Sequence, residues 1–361
     1  MNSLYYHEHG GQSERLSGRI PAGELIDFSV SISPFFPLRD PLQVARADLQ
    51  AYPSIEGKGV QGFYARRFGL DESSVIALNG AIEGIYLLPR ALGVRRMLLL
   101  EPSFYEYGRA ARIAGAETGF VGLSAVNGFS LPPVGELAAR LEHCDAFFAA
   151  NPNNPTGTLF PPEVTMALAS RFPDKWFFVD EAFIQFLPDF PAVSLMQHTR
   201  AFRNIVVVHS LTKFYALPGL RLGAIIAHPD TIGRLYDFKE PWTLNAVAER
   251  VAGELADCLV YEAALRSMIA GERERLAAAL PEIDGVRVAG GAANFLLAQW
   301  RRSSPLDELL SHFLSRGILV RDCRNFHGLE AGYFRFAVRT PQENDRFLEA
   351  LRAVPAPERV S

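Results

Sequence analysis

The sequence predicts an α/β protein, with a larger domain built on a mostly parallel sheet flanked by helices and a smaller α+β domain after it. Short apolar runs alternate with amphipathic helical patterns between residues 75 and 227, the order that βαβ units require. The runs AFFAA and WFFVD are apolar at almost every position, as strands covered on both faces are. After residue 245 the pattern changes to one long helical stretch and then to short strands.

The elements of the larger domain follow in chain order. Strands are predicted at 75–79, 97–101, 145–149, 176–180, 205–210 and 222–227, and helices at 81–91, 105–114 and 162–171. In such sheets ligands bind beyond the carboxyl ends of the strands, so functional side chains are expected there.

The smaller domain begins with a helical pattern over 245–280. Strands at 286–289 and 293–300, a helix at 306–316, strands at 318–321 and 333–339 and a last helix from Gln342 follow. The predicted divisions are a segment 1–40 that packs with the small domain or a partner, a large domain 41–245 and a small C-terminal domain 246–361.

Composition narrows the class of protein. The chain has 361 residues, enough for two domains, with 48% hydrophobic residues, 21% charged residues and a net charge of -4. No basic run indicates nucleic acid or an anionic membrane as partner, and no apolar run could span a bilayer. The three cysteines are far apart and the N-terminus has no signal-peptide pattern, so we expect reduced thiols, no metal site and a cytoplasmic protein.

The end of the strand at 205–210 carries the most chemistry. Lys213 follows it, Ser210 stands three residues before the lysine and Arg221 eight residues after it, with Pro218 and Gly219 indicating a tight turn. A lone lysine there is as readily a surface residue. Together, a hydroxyl, an amine and a guanidinium indicate an anion site with a nucleophilic amine.

Three other strand ends add polar groups. Asp180 closes WFFVD, where an acid either caps the next segment or pairs with a protonated heteroaromatic nitrogen. The turn NPNNPTG, which contains Asn154, follows AFFAA. Gly80 and Ala81 lead from a strand into a helix, a geometry that points backbone N–H groups at an anion.

The motifs NPNNPTG, DEAF and SLTKFYALPGLRLG occur in the order and spacing of the class I/II aminotransferase superfamily, which the chain resembles over essentially its whole length. The resemblance implies fold type I, the pyridoxal 5'-phosphate (PLP)-dependent transferase fold, and a homodimer. It implies that Lys213 holds PLP as a Schiff base, that Asp180 pairs with the ring nitrogen and that Asn154 bonds the ring 3-oxygen. The other cofactor contacts that it implies are Gly80, Ala81, Ser210 and Arg221 on the phosphate, Phe104 stacked on the ring and Tyr52 on the phosphate of the partner's cofactor. Core packing is the alternative for Phe104 and Tyr52.

Within the superfamily, the sequence is most similar to threonine-phosphate decarboxylases, of cobalamin side-chain synthesis. The similarity includes the His9 start, the segment Asp27-Phe28-Ser29 and Phe183, where many aminotransferases carry a tyrosine. It implies that His9, Asn154, Arg321 and Arg335 bind the substrate, with Arg335 on the carboxylate and Arg321 on a phosphate. Ser31 and Ser33 depart from the family pattern, which usually has asparagine at both positions. Arg339 has no assigned role.

Three functions remain open at this stage. The first is a decarboxylase of an O-phospho amino acid, and the second is an aminotransferase of the histidinol-phosphate or general amino-acid type. The third is a binding or regulatory module with this fold, which an intact Lys213, Asp180 and Arg335 argue against. The sequence does not identify the phosphorylated amino acid.

Overall fold

The structure is a computed structural model that describes residues 10–11, 25–38 and 49–355. His9 and most of the predicted segment 1–40 therefore lie outside the described residues. The first described element is the two-residue strand β1, Ile26–Asp27.

A seven-stranded sheet forms the centre of the larger part. Its strands are β2 Val75–Asn79, β3 Arg96–Glu101, β4 Glu117–Gly122, β5 Ala146–Ala150, β6 Trp176–Asp180, β7 Ile205–Ser210 and β8 Leu222–Ile226. Their order across the sheet is β2-β8-β7-β6-β5-β3-β4. Only β8 is antiparallel to its neighbours, so the other six strands end at the same edge.

Helices cover both faces of this sheet. They are α1 Lys58–Phe68, α2 Ala81–Ala91, α3 Glu106–Ile113, α4 Val134–Leu141, α5 Pro162–Arg171 and α6 Pro229–Tyr236. Short 3-10 turns lie at Glu72–Ser74, Ala125–Asn127, Ile184–Phe186 and Leu195–Gln197. In β5, Phe147 packs into the core on one face and Phe148 into the core on the other. The prediction that AFFAA is covered on both faces is thus confirmed.

The C-terminal part holds a second sheet. Its elements are α7 Ala246–Leu255, α8 Leu259–Ala279, a 3-10 turn at Leu280–Glu282, β9 Val286–Gly290, β10 Phe295–Trp300, α9 Leu306–Ser315, β11 Ile318–Leu319, β12 Arg321–Asp322, β13 Tyr333–Ala337 and α10 Pro341–Arg352. Strands β12, β13, β10 and β9 form an antiparallel sheet in that order. Strand β11 instead pairs in parallel with β1 near the N-terminus.

Most predicted elements are confirmed to within two residues. The single strand predicted at 318–321 is wrong, because the chain changes sheets at Val320 and forms β11 and β12 instead. The helical pattern at 245–280 is two helices separated at 256–258. Strand β4 had no sequence signal, because this edge strand is largely exposed and contains two glycines.

The α/β fold class is confirmed, whereas the domain boundaries at 40 and 245 stay predictions. Among the described residues, none of the helices combines the length and the apolar character needed to cross a membrane.

Candidate active site

The strand ends singled out in the sequence meet at one edge of the central sheet, around a cavity of about 660 Å³. This volume lies within the roughly 300–1,000 Å³ of ordinary ligand pockets. The predicted site residues that line the cavity are Ala81, Phe104, Asn154, Asp180, Phe183, Ser210, Lys213, Arg221, Arg321 and Arg335. The fold therefore brings together residues that are up to 254 positions apart, from 81 to 335.

A cradle for an anion forms where β2 ends and α2 begins. Gly80 is the N-cap of α2, with φ 77°, a left-handed conformation that favours glycine. A Cβ on Gly80 would lie 2.5 Å from Nη2 of Arg221, and one on Gly223 would lie 2.5 Å from the backbone nitrogen of Ala81. The guanidinium thus lies directly against the first turn of α2, where unpaired N–H groups and the helix dipole favour a negative charge.

Asp180 is buried at the end of β6, with 6% of its surface exposed. Its carboxylate accepts a hydrogen bond from the hydroxyl of Tyr107 at 2.7 Å and one from the backbone N–H of Ala182 at 2.9 Å. Burial nevertheless raises the pKa of this carboxyl, against the effect of both bonds and of Lys213. A buried carboxylate of this kind is stabilised by a cation placed beside it.

Tyr107 is a functional residue that the sequence analysis did not identify. It lies on α3, is almost fully buried and stacks on Phe148 with ring centroids 4.3 Å apart. Phe104 packs edge-on against the ring of Tyr107, with the ring centroids 5.6 Å apart. Tyr107 therefore orients both the acid and the aromatic wall of the cavity, and its only sequence signal is its place three residues after Phe104.

The amine of Lys213 faces the cavity from the turn after β7. Burial, together with the nearby cations Arg335 and Arg221, lowers its pKa to about 8, against the opposing effect of Asp180. A lysine with this pKa has a substantial uncharged fraction near neutral pH, which a nucleophilic amine needs. Its position fits the role predicted from the sequence.

Arg335, on β13, enters the cavity from the second sheet. Its Nη1 donates to Oδ1 of Asn154, and its Nη2 donates to the carbonyl of Ser29 at 3.0 Å. The guanidinium lies over the ring of Phe295, 5.2 Å from the centroid, and Phe183 packs edge-on against that same ring at 5.2 Å. Burial and the charge of Arg321 lower the pKa of Arg335 to about 10. The two guanidinium groups are therefore close enough to repel each other.

Arg321, on β12, is 8% exposed and borders the same cavity. Its Nη2 donates to Oδ1 of Asn325 at 2.8 Å, and its guanidinium carbon lies 5.3 Å from the ring centroid of Phe326. Asn325 and Phe326, which sequence reasoning did not single out, also line the cavity. They fix the plane of the guanidinium.

The remaining predicted residues lie elsewhere. Tyr52 does not line the cavity of its own chain: its surface is 82% exposed and its ring lies 5.1 Å from that of Trp242. Gly80 does not line the cavity itself but lies against the guanidinium of Arg221, which does. Arg339 stabilises the fold, because it donates to the carbonyl of Asp27 and to Glu343.

The two serines that depart from the family pattern have different surroundings. Ser31 lines the cavity with a buried hydroxyl that has no hydrogen-bond partner among the described residues. Ser33 lies behind the cavity wall, where its backbone N–H donates to the carbonyl of Lys213 at 2.9 Å. Only Ser31 is placed to contact a ligand.

Three polar side chains that the sequence analysis did not single out join α2 to α3 at the cavity wall. Tyr86 donates to the carboxylate of Glu106, and Arg109 donates to the Tyr86 oxygen and lies 3.5 Å from that carboxylate. Burial raises the pKa of Tyr86 to about 12. The i,i+3 spacing of Glu106 and Arg109 was the available signal.

The arrangement fits PLP. The first turn of α2 with Ser210 and Arg221 suits its phosphate, the buried Asp180 carboxyl suits a protonated ring nitrogen, and the Lys213 amine suits its aldehyde. Within the described part of the chain, no three His, Cys, Asp or Glu side chains are grouped as a metal site would require.

Comparisons with known proteins agree with this geometry. The family model for aminotransferase class I and II matches residues 42–351. A putative threonine-phosphate decarboxylase of Caldanaerobacter subterraneus subsp. tengcongensis is 33% identical over 313 residues, 86% of this chain and 85% of that one. Threonine-phosphate decarboxylase of Salmonella typhimurium is 33% identical over 368 residues, 98% of each chain. The crystal structure of a histidinol-phosphate aminotransferase from Clostridium acetobutylicum matches with a TM-score of 0.81 and 26% identity, over 91% of this chain and 99% of that one.

Proposed function

The chain belongs to the aminotransferase class I and II family, and we propose that it is a PLP-dependent decarboxylase of an O-phosphorylated amino acid, with threonine phosphate the first substrate to test. One observation carries the proposal. Two buried arginines of the second sheet, Arg321 and Arg335, line the same cavity as Lys213. A substrate with a carboxylate and a phosphate supplies one anion for each of them.

Bound PLP supplies an electron sink for the bond that breaks at the substrate Cα. The chain supplies the orientation. Asp180 would stabilise a positive charge on the ring nitrogen of bound PLP, and Tyr107 and Ala182 hold Asp180 in place. Phe104 and Ala182 line the cavity beside the acid, where they exclude water.

Arg335 binds the substrate carboxylate, since Asn154 and the carbonyl of Ser29 fix two of its nitrogens while its Nε is buried without a partner among the described residues. Arg321 binds the phosphate. Lys213 Nζ, whose pKa is near 8, would donate to the substrate Cα the proton that replaces the carboxylate lost as carbon dioxide.

The second candidate is an aminotransferase of the histidinol-phosphate type. It is favoured by the fold similarity to the Clostridium acetobutylicum enzyme, and it would use the same lysine, acid and arginines. We favour decarboxylation because a threonine-phosphate decarboxylase matches over 98% of both chains, and because Phe183, packed against Phe295, has no hydroxyl to offer the ring 3-oxygen.

One assay separates the two functions. The PLP-loaded protein is given O-phosphothreonine, O-phosphoserine or histidinol phosphate, with and without 2-oxoglutarate, and carbon dioxide and glutamate are measured side by side. We expect carbon dioxide from a phosphorylated amino acid and no requirement for 2-oxoglutarate. Glutamate formation without carbon dioxide would establish the aminotransferase instead.

We also infer a homodimer and a cytoplasmic location. Exposed aromatic residues at Tyr52 and Trp242, 82% and 47% exposed, form a surface that a second copy would cover. The three cysteines form no disulfide, which supports a reducing compartment.

A further inference from the structure

The wall of the cavity that faces the substrate includes Ser29, Val30 and Ser31, in the described segment 25–38. Upstream, this segment is held by its pairing with strand β11. The backbone N–H groups of Ile26 and Phe28 donate to the carbonyls of Gly317 and Leu319, each at 2.7 Å. The upstream end of this cavity wall is therefore fixed, and the position of the wall also depends on the contacts of its downstream end.

The downstream end is held at the lysine turn. The backbone N–H of Ser33 donates to the carbonyl of Lys213 at 2.9 Å. The hydroxyl of Tyr261, on α8, lies 2.7 Å from the carbonyl of Phe214, 2.9 Å from Oγ of Ser33 and 3.0 Å from the carbonyl of Phe35. One phenol therefore contacts both the cavity-wall segment and the residue after Lys213.

A phenol has a single proton, which decides how these contacts are shared. Tyr261 donates this proton to the carbonyl of Phe214, the nearest of the three acceptors, and shares it with Oγ of Ser33, which itself donates to the carbonyl of Phe35 at 3.1 Å. Its ring is fixed by Tyr215, stacked at 6.1 Å, and by Phe214, edge-on at 6.1 Å. Burial raises the pKa of Tyr261, so the phenol keeps its proton over the working pH range.

We propose that Tyr261 is a positioning residue, which holds the cavity wall at Ser29–Ser31 in its substrate-binding place by joining Ser33 to the lysine turn. The wall includes the carbonyl of Ser29 that accepts from Arg335 and the unpartnered hydroxyl of Ser31. Loosening it disturbs the substrate side of the cavity, whereas the contacts of Asp180 and of the phosphate cradle lie on other elements. The effect on substrate affinity rests on the proposed function, but the anchoring does not.

The test compares Tyr261→Phe with Tyr215→Phe. The control removes a buried phenol from the lysine turn, whose hydroxyl donates to Glu262 at 2.7 Å and does not touch segment 25–38. Glu262 keeps its ion pairs with Arg67 and Arg266 in that variant. With O-phosphothreonine as substrate, we expect Tyr261→Phe to raise KM about tenfold, the equivalent of one to two net hydrogen bonds, and to change kcat less than threefold. Tyr215→Phe should lower the Tm without raising KM, and both variants should bind PLP as the wild type does.

A double variant tests the contact itself. Ser33→Ala removes the oxygen that accepts from the hydroxyl of Tyr261, so this variant should raise KM in the same direction as Tyr261→Phe. Because the two residues share one contact, the double variant should be little worse than Tyr261→Phe alone. Multiplied effects would show that Tyr261 and Ser33 act independently and would overturn the proposal.

Hydrogen exchange supplies a readout that needs no substrate. Amides of residues 29–36 should exchange about tenfold faster in Tyr261→Phe than in the wild type, with no such change in Tyr215→Phe. Equal exchange in wild type and Tyr261→Phe overturns the proposal, and so does a loss of kcat with KM unchanged. If the wild type does not turn over O-phosphothreonine, the proposed function fails on that result, while the exchange rates still decide whether Tyr261 anchors the wall.

Discussion

Replacing Arg321 with alanine separates a phosphate-binding role from a structural one. The side chain is 8% exposed, borders the cavity and is oriented by Asn325 and by the ring of Phe326. A substrate phosphate would meet a guanidinium whose plane is already set, so little conformational freedom is lost on binding. The variant removes that group and keeps the rest of the cavity.

The expected loss follows from the strength of a charge-assisted hydrogen bond, which contributes about 1.5–3 kcal/mol. At about 1.4 kcal/mol for each factor of ten, kcat/KM for O-phosphothreonine should fall by about tenfold to a hundredfold. Threonine has the same carboxylate and amine without the phosphate. Its kcat/KM, which we expect to be low in the wild type, should change less than threefold in the variant.

Arg324 offers a matched control three residues away. It is paired with Asp307 and Asp322, each at 2.7 Å, and does not line the cavity. Arg324→Ala should leave the ratio of the two kcat/KM values unchanged. If Arg321→Ala lowers activity on threonine and O-phosphothreonine by the same factor, or if Arg324→Ala matches its effect, Arg321 does not recognise the phosphate.

Three further changes have defined outcomes. The rate at which the apo-protein captures PLP covalently should rise with pH through a midpoint near 8, because the lowered pKa of Lys213 makes its amine uncharged, and therefore nucleophilic, above that pH. A midpoint near the ordinary lysine pKa of about 10.4 would contradict this. Asp180→Ala should fold normally yet lose most turnover, with Tyr107→Phe intermediate in kinetic assays; near-normal turnover would make the acid structural. In sedimentation the active species should be at least a dimer that Tyr52→Ala weakens, and a fully active monomer would refute the shared site.

Local sequence patterns predicted where the strands end, because the end of a strand depends on a few adjacent residues. WFFVD predicts both a buried strand and the acid that closes it, and the turn around Pro218 and Gly219 follows from residue type. The contacts between distant elements could not be predicted this way. Tyr107 meets Asp180 across 73 residues, and Tyr261 meets Ser33 across 228, so each requires the relative placement of two elements that no local pattern specifies.

The resemblance named most of the residues that line the cavity, but it did not predict the contacts that hold each of them in place. The resemblance assigned Arg335 to the substrate carboxylate and left Arg339 without a role, although both lie in the same predicted strand, 333–339. In the structure Arg339 turns to Asp27 and Glu343, while Arg335 reaches the cavity. Ser31 and Ser33 looked like one departure and have separate surroundings, which only the path of segment 25–38 distinguishes.

Charge balance explains why a doubly anionic substrate suits this cavity. The ionisable Asp, Glu, Lys and Arg residues that line it within the described chain are Glu106, Arg109, Asp180, Lys213, Arg221, Arg321 and Arg335. With the lysine protonated, five cations face two carboxylates, and one of those carboxylates already lies beside Arg109. Arg321 lowers the pKa of Arg335, and Arg335 lowers that of Lys213, so the cations repel one another. A bound cofactor phosphate would offset the charge at Arg221. A substrate with only a carboxylate would place one anion between two guanidinium groups, whereas a phosphorylated amino acid places one at each, and that difference is the physical basis for expecting a preference for the phosphate.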